Sequence, residues 1–168
     1  MTSKYLFIIL GILLSSTLIS ATPFEKNQLQ TSTLTVTLND GYIDISAQEA
    51  WDLMKTSEDG KKILIDIRRP EEYLNERIIP PNEEDRPRFF PYEWTSDGPG
   101  PIKNQGILLD IFMNIYQDKE IIIYCRTGRR TGIAAQILID NGFQGTIYNM
   151  VDGITEWKAI GLPTTLDS

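Results

Sequence analysis

One stretch of the sequence combines an apolar run, a cysteine and a cluster of arginines. Ile121-Ile122-Ile123-Tyr124 is followed by Cys125 and by the short segment Arg126–Arg130, which holds three arginines and a glycine. The apolar run predicts a buried strand, and the residues from Thr131 or Gly132 onward have the pattern of a helix. A thiol between a buried strand and a helix lies near free backbone N–H groups and the positive end of the helix dipole, which favour the thiolate. We therefore interpret Cys125 as a nucleophile in a loop that binds anions.

Strand-like and helix-like segments alternate along the chain. Apolar residues spaced as on one helix face follow each strand-like segment, and the first helix opens with a capping box formed by Ser46 and Glu49. This alternation predicts an α/β fold with a mainly parallel central sheet flanked by helices on both faces, and a ligand site at the carboxyl ends of the strands. Cys125 and Asp66 both lie at such ends. The predicted strands are Tyr42–Ile45, Ile63–Arg68, Ile121–Tyr124 and Thr146–Met150, and the predicted helices contain Ala47–Met54, Pro70–Leu74, Leu108–Ile115, Ala134–Leu138 and Asp152–Trp157.

Asp66 is the one carboxylate in the apolar strand Ile63–Arg68. A charge in such a strand needs a partner, and the sequence leaves two candidates, Arg68 or the arginines of the Cys125 loop. We interpret Asp66 as part of an ion pair that fixes a loop at the carboxyl end of the sheet. A catalytic acid is the alternative, but structural ion pairs are the commoner cause of such carboxylates.

The first 21 residues differ in character from the rest of the chain. Lys4 is the only charged residue of Met1–Ala21, and Tyr5–Ile19 is almost entirely apolar. This length suits the apolar part of an export signal and is short for a membrane span, and Ala21 offers a small residue at a plausible cleavage point. We predict a signal peptide at 1–21, with an uncleaved membrane anchor as the alternative, and hence a periplasmic or secreted protein. Residues 22–38 are predicted to be a polar linker or an edge strand, and residues 39–168 a single domain.

Charge and residue usage narrow the possible partners. The chain has 23 acidic and 16 basic residues, a net charge of −7, which argues against nucleic acid and anionic membrane surfaces as partners. Cys125 is the only cysteine and histidine is absent. With one cysteine, the chain cannot form an internal disulfide. Without histidine, it lacks both the usual base of a cysteine hydrolase and the commonest zinc ligand. We expect no metal at the site, and activation of Cys125 by backbone dipoles and arginine charge.

The segment Ile79–Gly106 is long for a loop inside a compact domain and contains six of the nine prolines. Loops of this length are usually functional or mobile, and a short strand is predicted at Arg88–Phe90. The sequence leaves two roles open for its aromatic residues, as a cover over the site or as packing on the core. These residues are Phe89, Phe90, Tyr92 and Trp94.

The order of motifs over roughly residues 42–163 resembles that of rhodanese-like sulfurtransferase domains. The matching segments are Tyr124-Cys125-Arg126-x-Gly128-x-Arg130, the helix and exit from Ala134 to Phe143, the ending from Asp152 to Pro163, and the upstream run from Asp66 to Tyr73. The order of several motifs is far more specific than any one of them. Three features depart from the family pattern. Glu76-Arg77-Ile78 stands where Gly-His-Ile is usual, the Ile79–Gly106 stretch is longer and richer in proline than usual, and Asp152 stands where the first glycine of a pair is common.

The resemblance implies a rhodanese-like domain at 39–168 and a mechanism without metal or organic cofactor. The Cys125 thiolate would take a sulfane sulfur from a small sulfur-containing anion such as thiosulfate, become a persulfide, and pass the sulfur to cyanide or a thiol, including a protein thiol. Asp66 and Arg68 would support the loop. The donor anion and the persulfide would be bound by Arg126, Thr127, Gly128, Arg129, Arg130 and Thr131.

Two other functions stay open. In cysteine phosphatases and arsenate reductases five residues separate the cysteine from an arginine, whereas here Thr131 holds that arginine's position and Arg130 comes one residue earlier. The shorter loop leaves less room for a tetrahedral phosphate and suits a single sulfur atom. A non-catalytic binding module could instead hold a partner with the Ile79–Gly106 loop, although the presence of Cys125 with its whole loop argues against this.

Overall fold

The structure is a computed structural model of the chain and describes residues 37–38, 41–56, 62–92 and 104–166. The predicted signal peptide at 1–21, most of the predicted linker and Trp94 lie outside these residues. Within the described ranges, no helix has both the length and the apolar character needed to cross a membrane.

The described residues form strands and helices in alternation. The strands are β1 (Thr37–Leu38), β2 (Ile43–Ile45), β3 (Lys62–Asp66), β4 (Arg88–Phe89), β5 (Glu120–Tyr124) and β6 (Thr146–Met150). The helices are α1 (Ala47–Thr56), α2 (Pro70–Asn75), α3 (Gln105–Ile115), α4 (Arg129–Asp140) and α5 (Gly153–Ala159), with a 3₁₀ turn at Glu83–Asp85.

The strands of this part of the chain build one sheet in the order β1-β2-β6-β5-β3-β4. β2, β6, β5, β3 and β4 are parallel to their neighbours, and β1 pairs antiparallel with β2 at one edge. The end of the predicted linker is therefore an edge strand. The prediction of a mainly parallel sheet is confirmed.

Helices cover both faces of the sheet, as the apolar strands require. Along β5, Ile121 and Ile123 face one apolar core that includes α3 and α4, whereas Ile122 and Tyr124 face a second core that includes α1 and α5. The central strands β3 and β5 thus bury both of their faces, which is why their sequences are apolar without alternation. Cys125 continues the side of Ile121 and Ile123.

Local signals account for several boundaries. The Glu49 side chain accepts a hydrogen bond from the Ser46 backbone N–H at 2.7 Å, and the Ser46 hydroxyl accepts one from the Glu49 N–H at 3.2 Å. This reciprocal pair satisfies two donors at the start of α1, as a capping box should. Pro70 opens α2, where its missing N–H has no consequence.

Two sequence-based boundaries and one assignment of burial were wrong in detail. α4 begins at Arg129, ahead of the predicted Thr131 or Gly132, because Gly128 adopts a left-handed conformation and its carbonyl accepts the first helical bond from the Gly132 N–H. β3 ends at Asp66 and not at Arg68. Ile115, assigned to the buried face of α3, is 59% exposed because it lies in the last turn of the helix, at the rim of the core.

The described part of the Ile79–Gly106 segment packs on the core. β4 lies parallel to β3, with Arg88 opposite Ile65, so the predicted strand is confirmed. Phe90 and Tyr92 are buried, and the Phe90 ring packs edge-on against Phe112. For these two aromatics the structure supports packing rather than a cover over the site.

Candidate active site

Cys125 directly follows β5 and is almost fully buried, with 1% of its surface exposed. Its Sγ lies 3.9 Å from the Thr131 hydroxyl, which itself donates a 2.6 Å hydrogen bond to the Gly128 carbonyl. The thiol is unpaired, as expected for the only cysteine of the chain. The strand therefore delivers the thiol to the first turn of α4, where the helix N–H groups have no partner within the helix.

The backbone after Cys125 is held by the first turn of α5. The Cys125 carbonyl accepts a hydrogen bond from the Ile154 N–H at 3.0 Å, and the Arg126 carbonyl accepts bonds from the Thr155 N–H and hydroxyl at 3.2 and 2.8 Å. The peptide bonds are trans, so each N–H points opposite to the carbonyl of its own peptide. The N–H groups of Arg126 and Thr127 consequently point away from α5. The carbonyl groups of Cys125 and Arg126 therefore face α5, and the N–H groups that follow them face the opposite side.

Two glycines make this contact between loop and helix possible. A Cβ on Gly128 would lie 2.9 Å from the Asp152 nitrogen, and a Cβ on Gly153 would lie 2.3 Å from the Cys125 carbonyl oxygen. Both residues also have positive φ, which side-chain-bearing residues rarely adopt. Among the described residues, Asp152 is the non-glycine residue with positive φ, at 62°. Glycine adopts this conformation without steric cost, so a glycine would suit position 152. The close approach of two backbones fixes where the donors point.

Gly153→Ala is expected to reduce both thermal stability and the reactivity of Cys125, because the new methyl group collides with backbone that cannot yield. Gly161→Ala is the matched control: Gly161 also has positive φ, at 77°, but a Cβ there meets nothing within 4 Å. The control measures the loss of folding stability caused by the positive φ alone, which is expected to be about 1 kcal/mol. Thermal melts and the rate of Cys125 alkylation by iodoacetamide measure both effects. Equal behaviour of the two variants would mean that the contact does not shape the loop.

Arg130 forms a bidentate ion pair with Glu72 of α2. Its two terminal nitrogens donate to the two carboxylate oxygens at 2.9 and 3.0 Å, and the side chains are only 12% and 25% exposed. Glu72 also accepts a 3.0 Å bond from the Arg69 backbone N–H. The pair links α2 to the cysteine loop across 58 positions of sequence.

The electrostatics of this pair involve the thiol. Burial raises the pKa of Glu72, but hydrogen bonds from the Arg130 side chain and the Arg69 N–H outweigh burial and hold that pKa below its usual value. Burial lowers the pKa of Arg130, and its interactions with Glu72 and then with Cys125 outweigh this and raise it. Arg130 therefore stays charged between a carboxylate on one side and the cysteine on the other.

A surface depression of about 370 Å³ lies beside this pair and is lined by Arg126 and Arg130 of the segment after Cys125, though not by Cys125 itself; we call it the mouth. Arg126 and Thr127 are exposed, as is Arg129, and Gly128 is partly buried. Basic and acidic side chains share the rim, so the mouth is not uniformly positive. The residues that line it are Arg69, Glu71, Glu72, Arg126 and Arg130.

Asp66 pairs with Arg68, one of the two partners that the sequence allowed. The Arg68 side chain donates to both carboxylate oxygens at 2.7 to 3.0 Å, its backbone N–H donates at 2.9 Å, and the two residues are 0% and 3% exposed. The Arg68 guanidinium also donates to the Glu76 carbonyl and lies 5.5 Å from the centre of the Tyr124 ring. The pair thus contacts the residue before Cys125, on the opposite face of β5 from the thiol.

Glu76, which departs from the family pattern, anchors the chain after α2. Its carboxylate accepts bonds from Lys158 at 2.8 Å and Thr164 at 3.0 Å. Ile78 forms a bridge with Thr164, and the Ile79 N–H donates to the Pro163 carbonyl at 3.0 Å. The unusual Glu76 therefore has a structural explanation, because it ties α2 to α5 and the C-terminal segment.

The predicted site residues thus fall into two groups. Cys125 and the loop up to Thr131 lie together at the start of α4, whereas Asp66 and Arg68 lie beneath Tyr124 on the α1–α5 side. Sequence reasoning missed Glu72, whose position three residues after Arg69 is typical of a helix-capping residue and gives no sign of a partner far along the chain. In the described ranges, no group of three or more Cys, His, Asp or Glu side chains could hold a metal ion.

The chain is thus an α/β domain with a mainly parallel sheet, in which the cysteine lies between a central strand and the start of a helix. The chain matches the family model for the rhodanese-like domain over residues 46–160. This chain belongs to the rhodanese-like domain family.

Relatives within the family carry sulfurtransferase names. Thiosulfate sulfurtransferase GlpE of Coxiella burnetii is 25% identical over 118 residues, which are 70% of this chain and 89% of that protein. A sulfurtransferase of Allochromatium vinosum is 39% identical over 49 residues, 29% of this chain, and the match spans only 45% of that protein. The solution structure of a rhodanese-like domain from the Anabaena sp. Alr3790 protein has a TM-score of 0.52 at 20% identity, covering 75% of this chain and 79% of that one. The last comparison shows the shared fold.

Proposed function

We propose that the protein is a sulfurtransferase that moves a sulfane sulfur from a donor such as thiosulfate to a thiophilic acceptor through a persulfide on Cys125. In the first step the thiolate attacks the outer sulfur of thiosulfate. A new S–S bond forms, the old one breaks, and sulfite leaves with the bonding electron pair. In the second step cyanide or a thiolate attacks the terminal persulfide sulfur, and the Cys125 thiolate is released.

The observation that carries the proposal is the orientation of the loop after Cys125. Because the carbonyls of Cys125 and Arg126 bond to α5, the following N–H groups point to the other side, where they can stabilise a developing anion. Fixed N–H donors and the partly buried Arg130 suit a persulfide anion in a chain that has no histidine. The sulfurtransferase names of the family relatives support the same reaction class.

Thiosulfate and cyanide as substrates test the proposal, with thiocyanate as the product measured. Wild-type protein is expected to form thiocyanate catalytically without an added metal or cofactor. Two results together would contradict it: thiocyanate formation from cyanide no faster than the uncatalysed rate, and no release of sulfide above background when dithiothreitol is the acceptor and is oxidised to its cyclic disulfide.

A cysteine phosphatase is the enzymatic alternative, and p-nitrophenyl phosphate tests it. The position that would carry the phosphatase arginine is Thr131, which is fully buried and bonded to the Gly128 carbonyl. Arg130 comes one residue earlier than the phosphatase arginine, so the loop is one residue shorter and leaves less room to enclose a tetrahedral phosphate. We expect no hydrolysis above background, followed as p-nitrophenol release. Robust hydrolysis that depends on Cys125 would favour the phosphatase.

We further propose that the protein acts outside the cytoplasm, after export directed by Met1–Ala21. The apolar run and the small residue at position 21 support this assignment. The mass of the protein recovered from the periplasm or medium tests it, because cleavage after Ala21 would remove the mass of those residues.

A further inference from the structure

The sulfur-transfer scheme does not require the bidentate ion pair between Arg130 and Glu72. Glu72 occupies both terminal nitrogens of Arg130 with bonds of 2.9 and 3.0 Å. A guanidinium can bind an oxyanion through parallel N–H donors either at its two terminal nitrogens or at Nε and one terminal nitrogen, and Glu72 takes the first of these pairs. A donor anion that sought the same two nitrogens would have to displace a carboxylate that belongs to the protein.

Arg130 interacts with a second group besides Glu72. The guanidinium interacts with Cys125 as well as with Glu72, and its side chain is only 12% exposed. Glu72 therefore fixes the guanidinium in a largely buried position from which it also interacts electrostatically with Cys125. Arg130 is placed to stabilise the thiolate or the persulfide, and Arg126, which is exposed, remains at the mouth.

The negative charge of Glu72 affects which sulfur donors can approach Cys125. Its pKa is held below the usual value, so the carboxylate is ionised at neutral pH. It lies at the rim of the mouth together with Glu71, which is separated from Arg69 by 3.9 Å and is largely exposed. Glu72, which is 25% exposed, and the more exposed Glu71 offset two of the three arginine charges that line the mouth. A dianion is therefore attracted less than it would be by the arginines alone, mainly because of the less exposed Glu72, whereas a neutral molecule is hardly affected.

On the basis of the proposed function, we infer that Glu72 is a specificity-determining residue that selects against dianionic sulfur donors and directs the site to organic persulfides. In that reaction the Cys125 thiolate attacks the terminal sulfur of R–S–SH. A Cys125 persulfide forms, the original S–S bond breaks, and the thiolate R–S⁻ leaves with the electron pair. Thiosulfate, with two negative charges, is admitted but at a disadvantage that Glu72 imposes.

Alkylation of Cys125 by two reagents that differ in charge tests the inference without any sulfur transfer. Iodoacetamide is neutral and iodoacetate is an anion, and both react by displacement of iodide by the thiolate. Glu72→Gln is expected to raise the ratio of the iodoacetate rate to the iodoacetamide rate by about threefold to tenfold, because one like charge near the thiol is removed. The ratio cancels any change in the intrinsic reactivity of Cys125.

Two variants control this experiment. Glu71→Gln removes the same charge from the neighbouring position of α2 without touching Arg130, and a much smaller rise is expected. Glu72→Asp keeps the charge on a shorter side chain and is expected to keep the ratio close to that of the wild type. An unchanged ratio in Glu72→Gln, an equal rise in Glu71→Gln, or a rise in Glu72→Asp as large as in Glu72→Gln would each overturn the inference.

Donor kinetics extend the test to the reaction itself. With thiosulfate and cyanide, Glu72→Gln is expected to lower the thiosulfate KM by about tenfold, whereas kcat/KM for cysteine persulfide changes by less than about twofold. Equal changes for the two donors would overturn the inference and leave the proposed function intact. If no variant transfers sulfur but the alkylation ratio rises, the proposed function fails and the charge selection by Glu72 still holds.

Discussion

Cys125→Ser is expected to reduce thiosulfate:cyanide sulfur transfer to the uncatalysed rate while leaving the fold unchanged. Cys125 is the only thiol of the chain, so no other residue can form the persulfide. The serine hydroxyl is close in size to the thiol but is a far weaker nucleophile when no base is present to activate it. Thiocyanate formation under saturating thiosulfate measures the loss.

A thermal melt of the same variant supplies the control. Because Cys125 contributes only one small side chain to the α3–α4 core, the melting temperature should stay close to that of the wild type. A variant that melts normally and still produces thiocyanate at the wild-type rate would show that the reaction does not pass through Cys125.

Asp66→Leu is expected to destabilise the fold by about 3–5 kcal/mol, because it leaves the Arg68 cation buried without its carboxylate. Asp66 is 0% and Arg68 3% exposed, and four hydrogen bonds join them. Water therefore cannot replace the lost partner. Urea unfolding followed by tryptophan fluorescence measures the change in the free energy of unfolding.

The double variant Asp66→Leu with Arg68→Met is the matched control. It removes both charges and fills the space with apolar side chains, and it should recover most of the stability that the single variant loses. If the single variant is as stable as the wild type, the ion pair does not support this end of the sheet. If the double variant is no better than the single one, the loss comes from packing and not from the uncompensated charge.

The fold was largely predictable because its signals are local. The apolar residues of the neighbouring strands β3 and β5 indicated burial on both faces, and the structure places them in the two cores on either side of the sheet. The Ser46–Glu49 capping box marked the start of α1 within one turn. The position of Cys125 at a strand end followed from the same pattern, because a parallel sheet collects the ends of its strands at one edge.

The rest of the site depends on contacts between distant residues, which no local pattern reports. Glu72 carries the signature of a helix start, and only the folded chain brings it to Arg130. The loop carbonyls can bond to α5 because Gly153 lets the two backbones approach closely. In the sequence, Gly153 looks like any other glycine at the start of a helix. The sequence also left the partner of Asp66 undecided, since Arg68 and the loop arginines were chemically equivalent candidates.

The persulfide on Cys125 can be observed directly by intact mass spectrometry of the protein mixed with thiosulfate. The mass is expected to increase by one sulfur atom, to return to its starting value on addition of cyanide, and to stay constant in Cys125→Ser throughout. A wild-type mass that does not change with thiosulfate or with cysteine persulfide, while thiocyanate is still produced, would contradict the covalent mechanism.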